Sequence, residues 1–173
     1  MTARAAELVR ALGLAPHPEG GHFRETHRSS LPAATADGRS RPALTHIWFL
    51  LAGAERSRWH RLASDEIWLF HEGDPLELLT IAPGTLVIER RRLGPAGPAE
   101  GGRAGGSPGS GAALPAAAVP AGSWQAARPA GAYTLASCVV APGFAYEDFE
   151  LLADRPAERD RLLRAGLDLG DAL

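Results

Sequence analysis

The sequence predicts an all-β protein, a sandwich or a barrel, and three observations predict it. From Leu44 onward, short runs rich in aliphatic and aromatic residues recur at spacings of about 8–12 residues. Turn-forming groups separate them, among them "AGAER", "HEGDP", "APG", "PAG" and "PGF". Helical periodicity is confined to the two ends. At 173 residues the chain is expected to form one domain with its own core, spanning 1–155, followed by a tail at 156–173.

Each element has a local reason. Ala6, Leu8, Val9 and Leu12 share a helical face, Thr2 can cap the start, and Gly13 can end the helix in the left-handed conformation. "PHPEGGHFRETHRS" turns at its Pro and Gly pairs and then extends, and "LPAATADGRSRP" reads as an exposed loop. "LTHIWFLLA", "SRWHRL", "DEIWLFH", "LELLTIA" and "TLVIERRR" read as strands, as do residues 119–127, 132–141 and 145–152. Residues 94–116 are dominated by Gly, Ala, Pro and Ser and cannot bury enough apolar surface to offset their ordering entropy, so a flexible loop is expected there. The charged tail, with Asp154 as a cap and Pro156 in the first turn, reads as a short peripheral helix.

Composition narrows the function. A net charge of −2 gives no electrostatic case for nucleic acid or an acidic membrane surface. No segment has the roughly 18–20 apolar residues that a membrane span needs. The opening segment mixes charges and lacks the apolar stretch of a signal peptide, so the cytoplasm is the expected location. All 18 basic residues are Arg, and Lys and Asn are absent, which points to a GC-rich bacterial genome. The lone Cys138 lies in an apolar run and reads as a buried structural thiol.

"SRWHRLASDEIWLFHEG" carries more polar chemistry than a strand needs. Alternate strand residues share a face. With Glu66 inward, Trp68 and Phe70 join it, and His60 has the same parity. A charged Glu on an inward face costs several kcal/mol unless paired or hydrated. A wet cavity removes that cost, so His60 and Glu66 are the candidate catalytic pair: a base or acid, and a carboxylate that sets its tautomer. "VPAGSWQAA" adds Trp124 beside Gln125, the one Gln in the chain. Trp68, Trp124, Gln125 and Phe144 are candidate ligand-positioning residues, with Glu25 and Thr45 as further pocket candidates. Glu19, Gly20 and Gly21 read first as a tight-turn device. His71, His27 and "ERRR" read as solvated surface.

"LGLAPHPEGGHFRETHRS", "SRWHRLASDEIWLFHEGDPLEL", "VPAGSWQAA" and "APGFAYEDFEL" together resemble the cupins, in particular a small cupin-like subfamily once catalogued as a domain of unknown function (DUF985-like). The resemblance runs from about residue 12 to residue 152. It implies a double-stranded β-helix, the cupin jelly-roll barrel, with a homodimer expected and an N-terminal segment (His17, Glu19, His22, Arg24) crossing the barrel mouth or pairing with a partner subunit. Metal-binding cupins carry G(X)5HXH(X)3–4E(X)6G and G(X)5PXG(X)2H(X)3N. Here Glu66 and Gly73 fit the first frame, but Trp59 and Arg61 hold the His positions, with His60 between them. Pro120 and Gly122 fit the second, but Gln125 replaces its His and Pro129 its Asn. The ligands left for a divalent metal are His60, Glu66 and Gln125, with His46 as a further imidazole. The other reading is a metal-free pocket in the manner of the cupin sugar epimerases. The expected function is proton transfer on a polar metabolite, by an isomerase, epimerase or lyase. The alternatives are a non-catalytic small-molecule-binding cupin and a metal-dependent oxygenase or isomerase.

Overall fold

The computed structural model describes residues 1–35, 37–96, 113–170 and 172. In chain order it has α1 (Ala3–Leu12), β1 (Ala15–Pro16), β2 (His22–Arg28), β3 (Pro32–Ala34), β4 (Ser40–Pro42), β5 (Thr45–Ala52), β6 (Ser57–Leu62), β7 (Asp65–Gly73), β8 (Leu76–Ile81), β9 (Glu89–Leu93), β10 (Ala113–Leu114), β11 (Ala116–Val119), β12 (Trp124–Pro129), β13 (Tyr133–Ala141), β14 (Phe149–Leu151) and α2 (Pro156–Arg164). Two six-stranded sheets form, ordered β1-β2-β5-β13-β7-β11 and β10-β9-β8-β12-β6-β14. Apolar side chains from both meet in one core: Phe49, Leu51 and Trp68 from the first, Leu78, Leu93 and Ala127 from the second. This is the jelly-roll barrel that the strand pattern and the resemblance implied.

Helices cover part of each outer face. In α1 the Thr2 hydroxyl accepts from the Ala5 N–H at 3.2 Å, and Gly13 ends the helix at φ 62°, as expected. Ala5 and Leu8 of α1 pack on Leu50, Ala52 and Leu135. The tail lies on the outside of the barrel and is packed onto it. Leu162, Leu169 and Ala172 are buried with Trp59, Ile81, Trp124 and Leu152, and the Trp59 indole N–H donates to the Leu169 carbonyl at 2.9 Å. Asp154 is not the cap: Arg155 holds that position without a side-chain bond, and Pro156 opens the helix. Leu162→Ala is expected to destabilise the fold by about 2–5 kcal/mol, because a fully buried leucine leaves a cavity. Denaturant unfolding followed by circular dichroism checks it.

Three local expectations change. β3 pairs with β4 as a small hairpin, with Asp37 and Gly38 in its turn. "DG" is a hairpin signal, but its flanks lack the apolar alternation that would have supported it. The "TLVIERRR" strand is shortened to Glu89–Leu93, with Leu86 and Val87 exposed. The C-terminal end of the expected loop is strand, β10 on β9 and β11 on β7, because these short segments find edges to pair with. The rest of that loop, residues 97–112, lies outside the described residues. No helix among the described residues is long and apolar enough to cross a membrane.

Candidate functional site

A cavity of about 230 Å³ lies within the barrel. Its apolar walls include Phe23, Ile47, Phe49, Leu62, Val140, Phe144 and Phe149. Its polar groups are His17, Glu19, His60 and Glu66, with Glu25, Arg28, Thr45, Cys138 and Tyr146 also on the lining. Strand alternation delivers His60 and Glu66. On β6, His60 faces in while Trp59 joins the outer cluster, and on β7 Glu66 and Trp68 face in while Asp65 and Ile67 face out.

Glu19 is the site residue that local sequence reasoning missed. Its turn is clipped to β6 by the Arg58 N–H, which donates to the Glu19 carbonyl at 2.9 Å, and by the Arg58 guanidinium, which donates to the Pro18 carbonyl at 2.6 Å. Gly20 sits at φ 114°, where a Cβ would run into the Arg56 carbonyl oxygen. The double glycine therefore lets the turn lie against the barrel, and that approach drives Glu19 to 5% exposure. The available signal was an acid beside two glycines, a turn needing close backbone approach.

The hydrogen bonds assign protons. His60 Nδ1 lies 2.8 Å from the Arg58 carbonyl oxygen, which can only accept, so Nδ1 carries hydrogen. His60 Nε2 lies 3.3 Å from Glu19 Oε2. Ser57 donates to the other Glu19 oxygen at 2.8 Å. Burial pushes the Glu19 carboxyl up and the His60 imidazole down, so both favour the neutral form. Glu19 Oε2 and Nε2 of His60 are thus placed to share a proton. His17, in edge contact with Phe23 and accepting the Glu19 N–H at 3.3 Å, is also pushed down by burial. His60 stacks on Phe149 with centroids 5.6 Å apart.

Glu66 is the second buried acid. Burial raises its proton affinity, opposed by nearby His60 and reinforced by Glu19. Gln125 fixes its orientation: the amide Nε2 donates to Glu66 Oε2 at 2.5 Å, and the amide oxygen accepts from the Trp68 indole at 3.0 Å. Gln125 pairs in register with His60 on its own sheet and bonds Glu66 and Trp68 on the other, so it ties the two sheets together. Burial also pushes the Cys138 thiol up, consistent with an unreactive thiol.

Of the predicted residues, His60, Glu66, Phe144, Glu25 and Thr45 line the cavity. Trp68 lies in the core beside it, supporting Gln125. Trp124 is placed elsewhere. As the neighbour of inward Gln125 on a strand it must face out, where its indole donates to Glu158 at 3.0 Å and Arg61 lies over its ring at 4.6 Å. Gln125 supports Glu66 and is not itself on the lining. The donor set does not fit a divalent metal either: both ends of Gln125 are engaged, and Nε2 of His60 is turned to Glu19. Among the described residues no group of three His, Cys, Asp or Glu is disposed to hold a metal ion. His46 lies off the cavity lining and meets Thr26 at 2.5 Å. His71 is exposed, as expected, and meets Ser137 at 2.8 Å and Trp48 edge-on at 4.8 Å.

Glu66→Gln is expected to flatten the pH dependence of stability. Folding raises the proton affinity of this carboxyl, so its stabilising contribution is complete below the ordinary carboxylate range and is lost as pH rises. The amide does not titrate. Relative to the parent, the variant should gain stability as pH rises above the ordinary carboxylate range, read from denaturation midpoints.

A family model described as Cupin superfamily (DUF985) matches residues 6–152. No curated protein matches the sequence. Among solved structures, a hypothetical protein from Leishmania major is 30% identical, over 95% of this chain and 97% of its own, with a TM-score of 0.72. A protein from Shewanella oneidensis is 33% identical, over 85% of this chain and 83% of its own, with a TM-score of 0.67. A mutant oxalate decarboxylase from Bacillus subtilis is 10% identical over 89% of this chain and 35% of its own, with a TM-score of 0.56, a likeness of fold alone.

Proposed function

We propose that this chain, which belongs to the DUF985 family of the cupin superfamily, is an isomerase, epimerase or lyase that moves protons on a small molecule held in its barrel. The observation that carries the reading is the buried contact between Glu19 and Nε2 of His60, 3.3 Å apart, with Glu66 as a second acid on the same cavity. A structural pair has no need of a cavity beside it or of a second buried carboxyl. Burial raises the proton affinity of both carboxyls and lowers that of the imidazole, so a proton can pass among them without a large difference in affinity to overcome.

In this reading Glu66, steadied by Gln125, takes a proton from carbon next to a carbonyl. The C–H electron pair becomes a C=C bond, and the carbonyl π pair moves to oxygen. That oxygen receives the proton held between Glu19 and His60. Return of a proton to carbon completes an isomerisation or an epimerisation, and expulsion of a leaving group completes an elimination. His60 is the relay, and Glu19 replaces Glu66 as its immediate partner. Thr45 and the phenylalanines confine the ligand.

The test is a screen of carbonyl metabolites with the protein in D2O, read by mass spectrometry for deuterium bound to carbon. Protein-dependent exchange supports the reading. Ligands that bind without any exchange favour the second reading, a non-catalytic binding module, which the apolar walls also suit.

A further inference from the structure

We infer that the cavity selects an uncharged molecule of about ten non-hydrogen atoms, an apolar ring bearing one carbonyl or hydroxyl group at its buried end. The inference rests on the proton-transfer reading of the same site.

Size comes first. A cavity of about 150 Å³ lined by apolar side chains accommodates benzene. At about 230 Å³ this one takes a six-membered ring with a few further atoms and is too small to enclose a nucleotide-linked sugar. The walls suit a ring: Phe144 and Phe149 stand edge to face at 6.1 Å, and His17 presents its edge to Phe23 at 4.4 Å. Aromatic rings prefer such arrangements, and a ligand ring can join them.

Charge comes second. The inner polar groups are two carboxyls, Glu19 and Glu66, and two imidazoles. An anionic group placed there would be repelled by Glu66, which is ionised when it acts as the base, and would lose its hydration without a free cation to replace it. A carbonyl oxygen, by contrast, can accept the Glu19 proton. Arg28 is the one arginine among the described lining residues, and it is engaged. Its Nε donates to Glu25 Oε1 at 2.9 Å, one Nη to Glu25 Oε2 at 2.6 Å, and the other to the Phe144 carbonyl at 3.1 Å. A bidentate fork satisfies both partners and leaves little pull for a second carboxylate. Glu25 is therefore a specificity residue: it neutralises the cation that would otherwise recruit acids.

Two probes of matched size settle this by isothermal titration calorimetry on the full chain, phenylacetone and phenylacetate at neutral pH. Phenylacetone should bind at least tenfold more tightly. Glu25→Gln should free Arg28 and raise phenylacetate affinity, narrowing or reversing that ratio. Phenylacetate bound by the parent as tightly as the ketone overturns the inference, as does binding of neither at millimolar concentration. An unchanged ratio in Glu25→Gln removes Glu25 from its role. Failure of the underlying reading looks different: phenylacetone would bind, yet its methylene would exchange deuterium no faster than in buffer.

Discussion

Alanine at position 60 is expected to slow protein-dependent carbon–deuterium exchange by about 10²–10⁴-fold, the range for loss of one positioned acid–base group. His60 links the Arg58 carbonyl to Glu19 through its two ring nitrogens, so its removal leaves the Arg58 carbonyl and Glu19 Oε2 without that partner. An unsatisfied buried polar group costs about 1–3 kcal/mol, so the variant should fold and melt at lower temperature. Exogenous imidazole, free to enter the enlarged cavity, should restore part of the exchange. A merely structural histidine would not show that rescue, and exchange at the parent rate would return His60 to a structural role.

Gly20→Ala should be strongly damaging, because among the described glycines its added carbon meets the tightest contact. The left-handed backbone at φ 114° would be strained by any side chain, at about 1–3 kcal/mol, and the new Cβ would press on the Arg56 carbonyl oxygen. Relief requires the turn to lift off β6. That breaks the Arg58–Glu19 backbone bond and withdraws Glu19 from His60. A loss of about 2–4 kcal/mol is expected, together with most of the exchange activity. Gly38→Ala is the control: its φ is 82°, but nothing lies within 4 Å of the added carbon, so it should cost about 1–2 kcal/mol and leave exchange intact. Equal behaviour of the two variants would mean that close approach at Gly20 does not hold Glu19 in place.

Much of this was legible in the sequence, and particular residues show why. Thr2 and Gly13 bound α1 through interactions with their own helix. Glu66 and Trp68 share the inner face because a strand repeats every two residues. The same rule, applied across "SWQAA", separates Trp124 from Gln125, so the two cannot both face the pocket. Other features lay beyond local rules. Leu162 reads as part of a charged tail, but its burial depends on Trp59 and Leu152 offering an outer face to cover.

The sequence by itself determined the all-β class, the terminal helices, the family frame, and the inward placing of His60 and Glu66. Each follows from interactions within a few residues or from strand alternation. Only the tertiary structure decided that Glu19 is the partner of His60, that Gln125 braces Glu66 across 59 residues of chain, and that Glu25 occupies Arg28 at the cavity. The first two depend on closing the barrel, which brings distant segments within hydrogen-bond reach. The third depends on which rotamers two exposed side chains adopt beside a cavity. Spacing along the chain carries no trace of either, because a buried acid is tolerated only where the completed fold supplies its partner.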